Sequence, residues 1–161
     1  MRILVAYATN SSGTETVSNI ISEILVKNTH TVTHKNIKNV NKKELTEYEL
    51  ILFGSPSWYY NKIEGQPHEY FTKFMTENSD LSLPGKKFAI FGLGDSAYMT
   101  FCGAVTHLEE YIKKISGTLV TPSLKIDGFY FNEGENTQKA ISWTESLNSL
   151  LKTHNPQQNT I

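Results

Sequence analysis

Apolar residues in this 161-residue chain fall into two kinds of run, and the two kinds alternate. Short unbroken runs read as strands covered on both faces: residues 3–8 (Ile3, Leu4, Val5, Ala6, Tyr7, Ala8), 50–54 and 88–91. A weaker β-rich stretch over 30–37 reads as an edge strand, and residues 118–120 with 124–126 as a short, broken fifth one. Between them lie stripes at helical spacing. Val17, Ile20, Ile21, Ile24 and Leu25 share one helix face, and Gln66 and Pro67 open a second helix with Phe71, Phe74 and Met75 on its face. Ala104, Leu108, Tyr111, Ile112 and Ile115 mark a third; Ala140, Trp143, Leu147, Leu150 and Leu151 mark a fourth. The alternation predicts one α/β domain over 1–153, a parallel sheet with helices on both faces, followed by a polar tail over 154–161 that frays. In such a sheet a ligand sits beyond the carboxyl ends of the strands. Three of those ends run into unusual loops.

The first loop is Thr9, Asn10, Ser11, Ser12, Gly13 and Thr14, wedged between a strand and a helix start. A helix N-terminus leaves backbone N–H groups unpaired and carries the positive end of the helix dipole. Four hydroxyls surround that spot, Gly13 permits close approach, and no Lys or Arg lies between Arg2 and Lys27. An ordinary capped helix needs only one or two hydroxyls. Six consecutive small or donor residues favour an anion held by neutral donors, a phosphate.

The second loop, residues 55–61, sets Pro56, Ser57, Trp58, Tyr59 and Tyr60 directly after a strand. Aromatics in a loop need something flat or apolar to cover. The third supplies Gly92, Leu93, Gly94, Asp95 and Tyr98. Trp58 and Tyr98 can wall a slot for a planar ring, with Asp95 accepting from a ring N–H or simply forming its own turn. Gly92, Gly94 and Ala97 also fit a dinucleotide fingerprint, but that motif belongs after the first strand with an acid at the end of the next. Here Glu109 and Glu110 fall inside a helix.

Composition removes several rivals. The net charge of −1 gives no electrostatic case for nucleic acid or membrane, although residues 54–110 carry four Lys against seven acids. A single cysteine, Cys102, excludes an internal disulfide and fits the cytoplasm. The first apolar run is too short for a signal sequence or a membrane span. The five histidines have no metal-ligand spacing, so neither a metal nor a catalytic residue is expected. A phosphoacceptor domain would need an Asp where Gly54 and Ser55 end the third strand.

The chain resembles the flavodoxins, small FMN-containing electron carriers, over nearly its whole length. Residues 91–105, reading Phe-Gly-Leu-Gly-Asp-Ser-Ala-Tyr-Met-Thr-Phe-Cys-Gly-Ala-Val, are close to the pattern of the short-chain members. The uninterrupted stretch 117–127 is similar to them too. The resemblance implies a flavodoxin-like three-layer sandwich, a five-stranded parallel sheet in the order 2-1-3-4-5. It implies non-covalent FMN, with residues 9–14 on the phosphate, Trp58 and Tyr98 on the two ring faces, and the backbone near Leu93, Gly94, Asp95, Phe101 and Cys102 at the pyrimidine edge and ribityl chain. It implies a low-potential, monomeric one-electron carrier working between a reductase donor and an oxidoreductase acceptor. The alternative is an FMN-dependent NAD(P)H:quinone reductase, which needs room beside the flavin that Trp58 and Tyr98 would fill.

Two positions depart from the family pattern. Ser12 stands where the phosphate loop has Gly, which predicts an altered backbone path. Tyr59 follows Trp58 where Gly is common; a non-Gly residue driven to positive φ costs roughly 1 kcal/mol, so a less stabilised one-electron-reduced state is expected. Tyr60, Asn61 and Lys62 replace acids found in relatives, which predicts a less negative second potential.

Overall fold

The computed structural model describes residues 1–153; the predicted tail over 154–161 lies outside them. The parallel sheet is built from β1 (Arg2–Tyr7), β2 (Thr31–Asn36), β3 (Leu50–Tyr60) and β5 (Lys87–Gly94), with a last strand in two pieces, β6 (Thr118–Leu119) and β7 (Leu124–Asp127). The order is β2-β1-β3-β5, with β6 and β7 both paired to β5. Counting the broken strand once, this is the expected 2-1-3-4-5. Helices α1 (Gly13–Lys27) and α4 (Glu133–Thr153) cover one face, and α2 (Glu69–Glu77) and α3 (Gly103–Lys114) the other.

Strand residues are divided between the two faces by their two-residue period. Leu4, Ala6, Ile51, Phe53, Phe88 and Ile90 pack with Phe71, Phe74, Val105, Leu108 and Ile112. Ile3, Val5, Leu50, Leu52, Ala89 and Phe91 pack with Val17, Ile21, Leu25, Ala140 and Leu147. Each Val, Leu, Ile or Phe among them contributes roughly 1.5–3 kcal/mol of transfer free energy on full burial, and each alanine less. Gly54 makes one close approach possible: a Cβ there would stand 2.0 Å from the Phe91 ring.

Three expectations are corrected. The aromatic stretch after Gly54 is not a loop: β3 runs on to Tyr60 and folds back antiparallel on β4 (Ile63–Pro67). Trp, Tyr and Ile are good strand formers, and Asn61 and Lys62, at φ 49° and 66°, make the two-residue turn between them. The second helix does not open at Gln66 and Pro67. Both belong to β4, and His68 caps α2 by accepting the Tyr70 N–H on its Nδ1 at 3.1 Å. Leu150 lies off the apolar face of α4, 38% exposed, while Thr144 and Asn148 are buried there instead.

Chain direction fixes where a ligand can sit. From β1 the chain goes to β2 on one side, then returns to β3 on the other side of β1. The crevice beyond β1 and β3 is therefore the switch point of the sheet. Among the described residues no helix is long and apolar enough to cross a membrane.

Candidate functional site

A cavity of about 610 Å³ opens at this switch point. Its first wall is the β1–α1 junction. The strand ladder closes with the Ala8 N–H donating to the Gly54 carbonyl at 3.0 Å, and the chain then turns out of the sheet. Thr9 follows, with its hydroxyl oxygen buried and without a hydrogen-bond partner. Ser12 takes φ 66°, and its carbonyl accepts from the Thr16 N–H (2.9 Å) and hydroxyl (3.0 Å). No side chain caps the first turn of α1, so its leading N–H groups have no local acceptor. The capped-helix reading therefore fails here. Gly13 and Thr14 are buried, and a Cβ on Gly13 would crowd Leu93 at 3.1 Å.

Behind this loop the Tyr7 hydroxyl donates to Glu15 at 2.8 Å, and the Tyr7 ring stacks on His34 at 4.7 Å. Burial, helped by the Glu15 carboxylate, pushes the Tyr7 phenol up to about 12. Burial likewise holds the His34 imidazole below its usual range.

Trp58 and Tyr59, from β3, and Tyr98, after β5, line another part of the cavity, each more than half exposed. Tyr59 sits in extended strand and is not among the residues at positive φ. Opposite it two β4 residues, Glu64 and Gly65, face one on β3, with Gly65 at φ 74°. The loop bearing Tyr98 is fixed by carboxylates. Asp95 accepts the Ala97 N–H at 2.8 Å, Asp127 the Ser96 N–H at 2.8 Å, and Glu64 the Thr100 N–H at 3.2 Å. The bond from Ser96 holds Asp127 below the ordinary carboxylate range. Asp95 thus forms its own turn while also lining the cavity.

The structure gathers most of the sequence candidates around one space: Thr9, Asn10, Ser11, Gly13, Thr14, Pro56, Ser57, Trp58, Tyr59, Leu93, Gly94, Asp95 and Tyr98. It places five elsewhere. Ser12 is exposed at the turn, and Tyr60 lines a separate groove beside Tyr70 and Lys73 on α2. Gly92 lies behind the wall, where a Cβ would strike Val105 at 2.4 Å. Phe101 packs on the α3 side of the core. Cys102 is buried behind Gly94, where a Cβ would come within 3.0 Å of its sulfur. Burial pushes that thiol up to about 12, so it backs the cavity as an inert packing group.

Sequence reasoning missed Gly65, Thr100, Gly128, Phe129, Tyr130 and Phe131, which line the cavity together with Glu64. The signal for the last three was present. Consecutive aromatics after the fifth strand repeat the feature that singled out 58–60, at the same rim of the sheet.

A doubly wound sheet with a hydroxyl-rich, uncapped helix start and an aromatic slot at its switch point defines a mononucleotide-binding α/β domain. The flavodoxin family model matches residues 5–141. The chain is 36% identical to a flavodoxin of Maridesulfovibrio salexigens over 145 residues, covering 89% of this chain and 94% of that one. It is 32% identical to a probable flavodoxin 2 of Bacillus subtilis, covering 88% and 91%. Oxidised flavodoxin 2 of Bacillus cereus superposes with a TM-score of 0.81 at 31% identity, covering 91% and 97%. The chain belongs to the flavodoxin family. Its cofactor is accordingly FMN, and its work is electron transfer between proteins rather than catalysis.

Proposed function

We propose that FMN is held with its phosphate at residues 9–14 and its ring against Trp58 and Tyr98. The observation that carries this placement is the Thr9 hydroxyl: buried, beside an uncapped helix start, and lacking a partner. A buried hydroxyl without a partner is costly, and a phosphate oxygen supplies the missing acceptor. The donor set is neutral, so the helix dipole and the backbone N–H groups oppose the phosphate charge.

Bound FMN supplies the redox chemistry, taking up and releasing electrons singly. The chain's residues set the conditions. Trp58 and Tyr98 present aromatic faces that exclude water from the ring. Glu64 and Asp95 are carboxylates on the cavity wall, and each disfavours negative charge accumulating beside it. Tyr98, Met99 and Phe131 stay largely exposed at the rim, which leaves an apolar margin for a partner to cover. We infer that the protein works as a cytoplasmic monomer between a reductase and an acceptor oxidoreductase. The lone buried cysteine and the absence of any net positive field support that setting. Nothing in the site favours the quinone-reductase alternative.

The test is the absorption spectrum of the purified protein through stepwise reduction, with steady-state NADPH oxidation measured beside it. A flavin spectrum that bleaches in two one-electron stages without NADPH turnover is expected. A colourless protein that ignores added FMN, or NADPH:quinone turnover by the protein alone, contradicts the reading.

A further inference from the structure

One wall of the cavity is built by the four residues after β7, 128–131. Its backbone is pinned. Gly128, at φ 50°, donates its N–H to the Gly94 carbonyl at 2.8 Å, and its own carbonyl accepts the Phe131 N–H at 2.8 Å. The buried Asn136 side chain donates to the carbonyls of Asp127 (2.9 Å), Phe129 (3.4 Å) and Gly128 (3.5 Å). Phe129 is buried, with the Tyr130 ring set edge-on to it at 5.2 Å.

On this fixed base Tyr130 is half exposed, and its hydroxyl donates to the Ser11 carbonyl. The link joins the end of β7 to the loop after β1. The Tyr130 ring lies over Gly13, where a Cβ would meet it in ordinary contact at 3.5 Å. The Ser11 carbonyl belongs to the peptide that leads into Ser12, the residue at φ 66°. A serine adopts that region reluctantly, and its side chain makes no capping bond. Thr16 holds the carbonyl of Ser12 from one side; Tyr130 holds the peptide from the other. Because a peptide is planar, fixing its oxygen also fixes the direction of its N–H. An unengaged carbonyl beside an anion site would repel the anion.

We propose that Tyr130 is a positioning residue for the phosphate: by bonding Ser11 it holds the 9–14 loop in the strained shape that presents its donors. The proposal rests on the placement of FMN given above. It requires the effect of Tyr130 to depend on the phosphate and to pass through Ser12.

The test titrates flavin-free protein with FMN and with riboflavin, for wild type, Tyr130→Phe, and Tyr130→Phe combined with Ser12→Gly. Tyr130→Phe keeps the ring and loses only the hydroxyl. FMN affinity should drop on the order of three- to tenfold, the net worth of one hydrogen bond, while riboflavin affinity is unchanged. Glycine takes φ 66° freely, so adding Ser12→Gly should restore FMN affinity. Equal losses for both flavins, no loss for either, or no rescue by Ser12→Gly would overturn the role of Tyr130. Wild-type protein that fails to bind FMN would instead overturn the placement itself.

Discussion

Where residues 9–14 meet the cavity, the surface is made of backbone and short polar side chains, with the Thr9 hydroxyl, Gly13 and Thr14 buried and Ser12 exposed in a left-handed turn. Where Trp58, Tyr59 and Tyr98 wall it, the surface is made of large rings more than half exposed, carried by a hairpin and a loop. The first region is preorganised for charge at a cost in strain and in an unsatisfied hydroxyl. The second gains by covering: its rings expose apolar area until a flat partner removes it from water. Phosphate recognition and ring recognition are thus separable, and substitutions should split them.

Trp58→Ala should give the largest loss, on the order of tenfold to a hundredfold in flavin affinity, the range of one ring-stacking contact. It should act equally on FMN and riboflavin; a loss confined to FMN would place the ring elsewhere. Thr9→Val should weaken FMN about tenfold or more, as expected for a hydrogen bond to a charged group, and leave riboflavin untouched. The same change should stabilise the flavin-free protein by up to about 1 kcal/mol in urea denaturation, because a methyl replaces a hydroxyl that lacks a partner there. A destabilised variant would mean that the hydroxyl has a partner in the flavin-free protein. Ser12→Gly should also stabilise that form, by roughly 1 kcal/mol, by relieving the left-handed serine; an unchanged denaturation midpoint would remove the strain from the account.

The smallest effect is on pH. Burial holds both His34 and His68 below the usual histidine range. The unfolded chain protonates them near pH 6.5, the folded chain only at lower pH, so unfolding takes up protons in between. Stability should fall as pH drops below about 6.5, and His34→Gln should flatten the fall. A urea midpoint constant between pH 7 and pH 5.5 would contradict this.

Most of the fold was legible because buried parallel strands announce themselves as unbroken apolar runs, and 3–8, 50–54 and 88–91 all did. The hairpin was not, because residues 55–57 look like a turn while pairing with β4 depends on a partner strand of only five residues. Gln66 and Pro67 misled for the same reason: Pro at a helix start and Pro ending a rim strand look alike until the pairing with Ser57 is known. At the site, the 9–14 loop was readable because one contiguous stretch builds it. The wall at 128–131 showed only its run of aromatics; its tie to the 9–14 loop comes from a contact spanning 119 positions, Tyr130 to Ser11. Gly92 and Cys102 carried the family pattern yet stand one layer behind the surface, a depth that spacing alone does not encode.

The central claim is that a neutral-donor loop grips a phosphate while a separate aromatic slot takes the ring. Calorimetric titration of the flavin-free wild-type protein with FMN and riboflavin, side by side, tests it most directly. One equivalent of each should bind, with FMN tighter by at least about a hundredfold, the contribution of two or more bonds to a charged group. Equal affinities, or no heat with FMN, would contradict it.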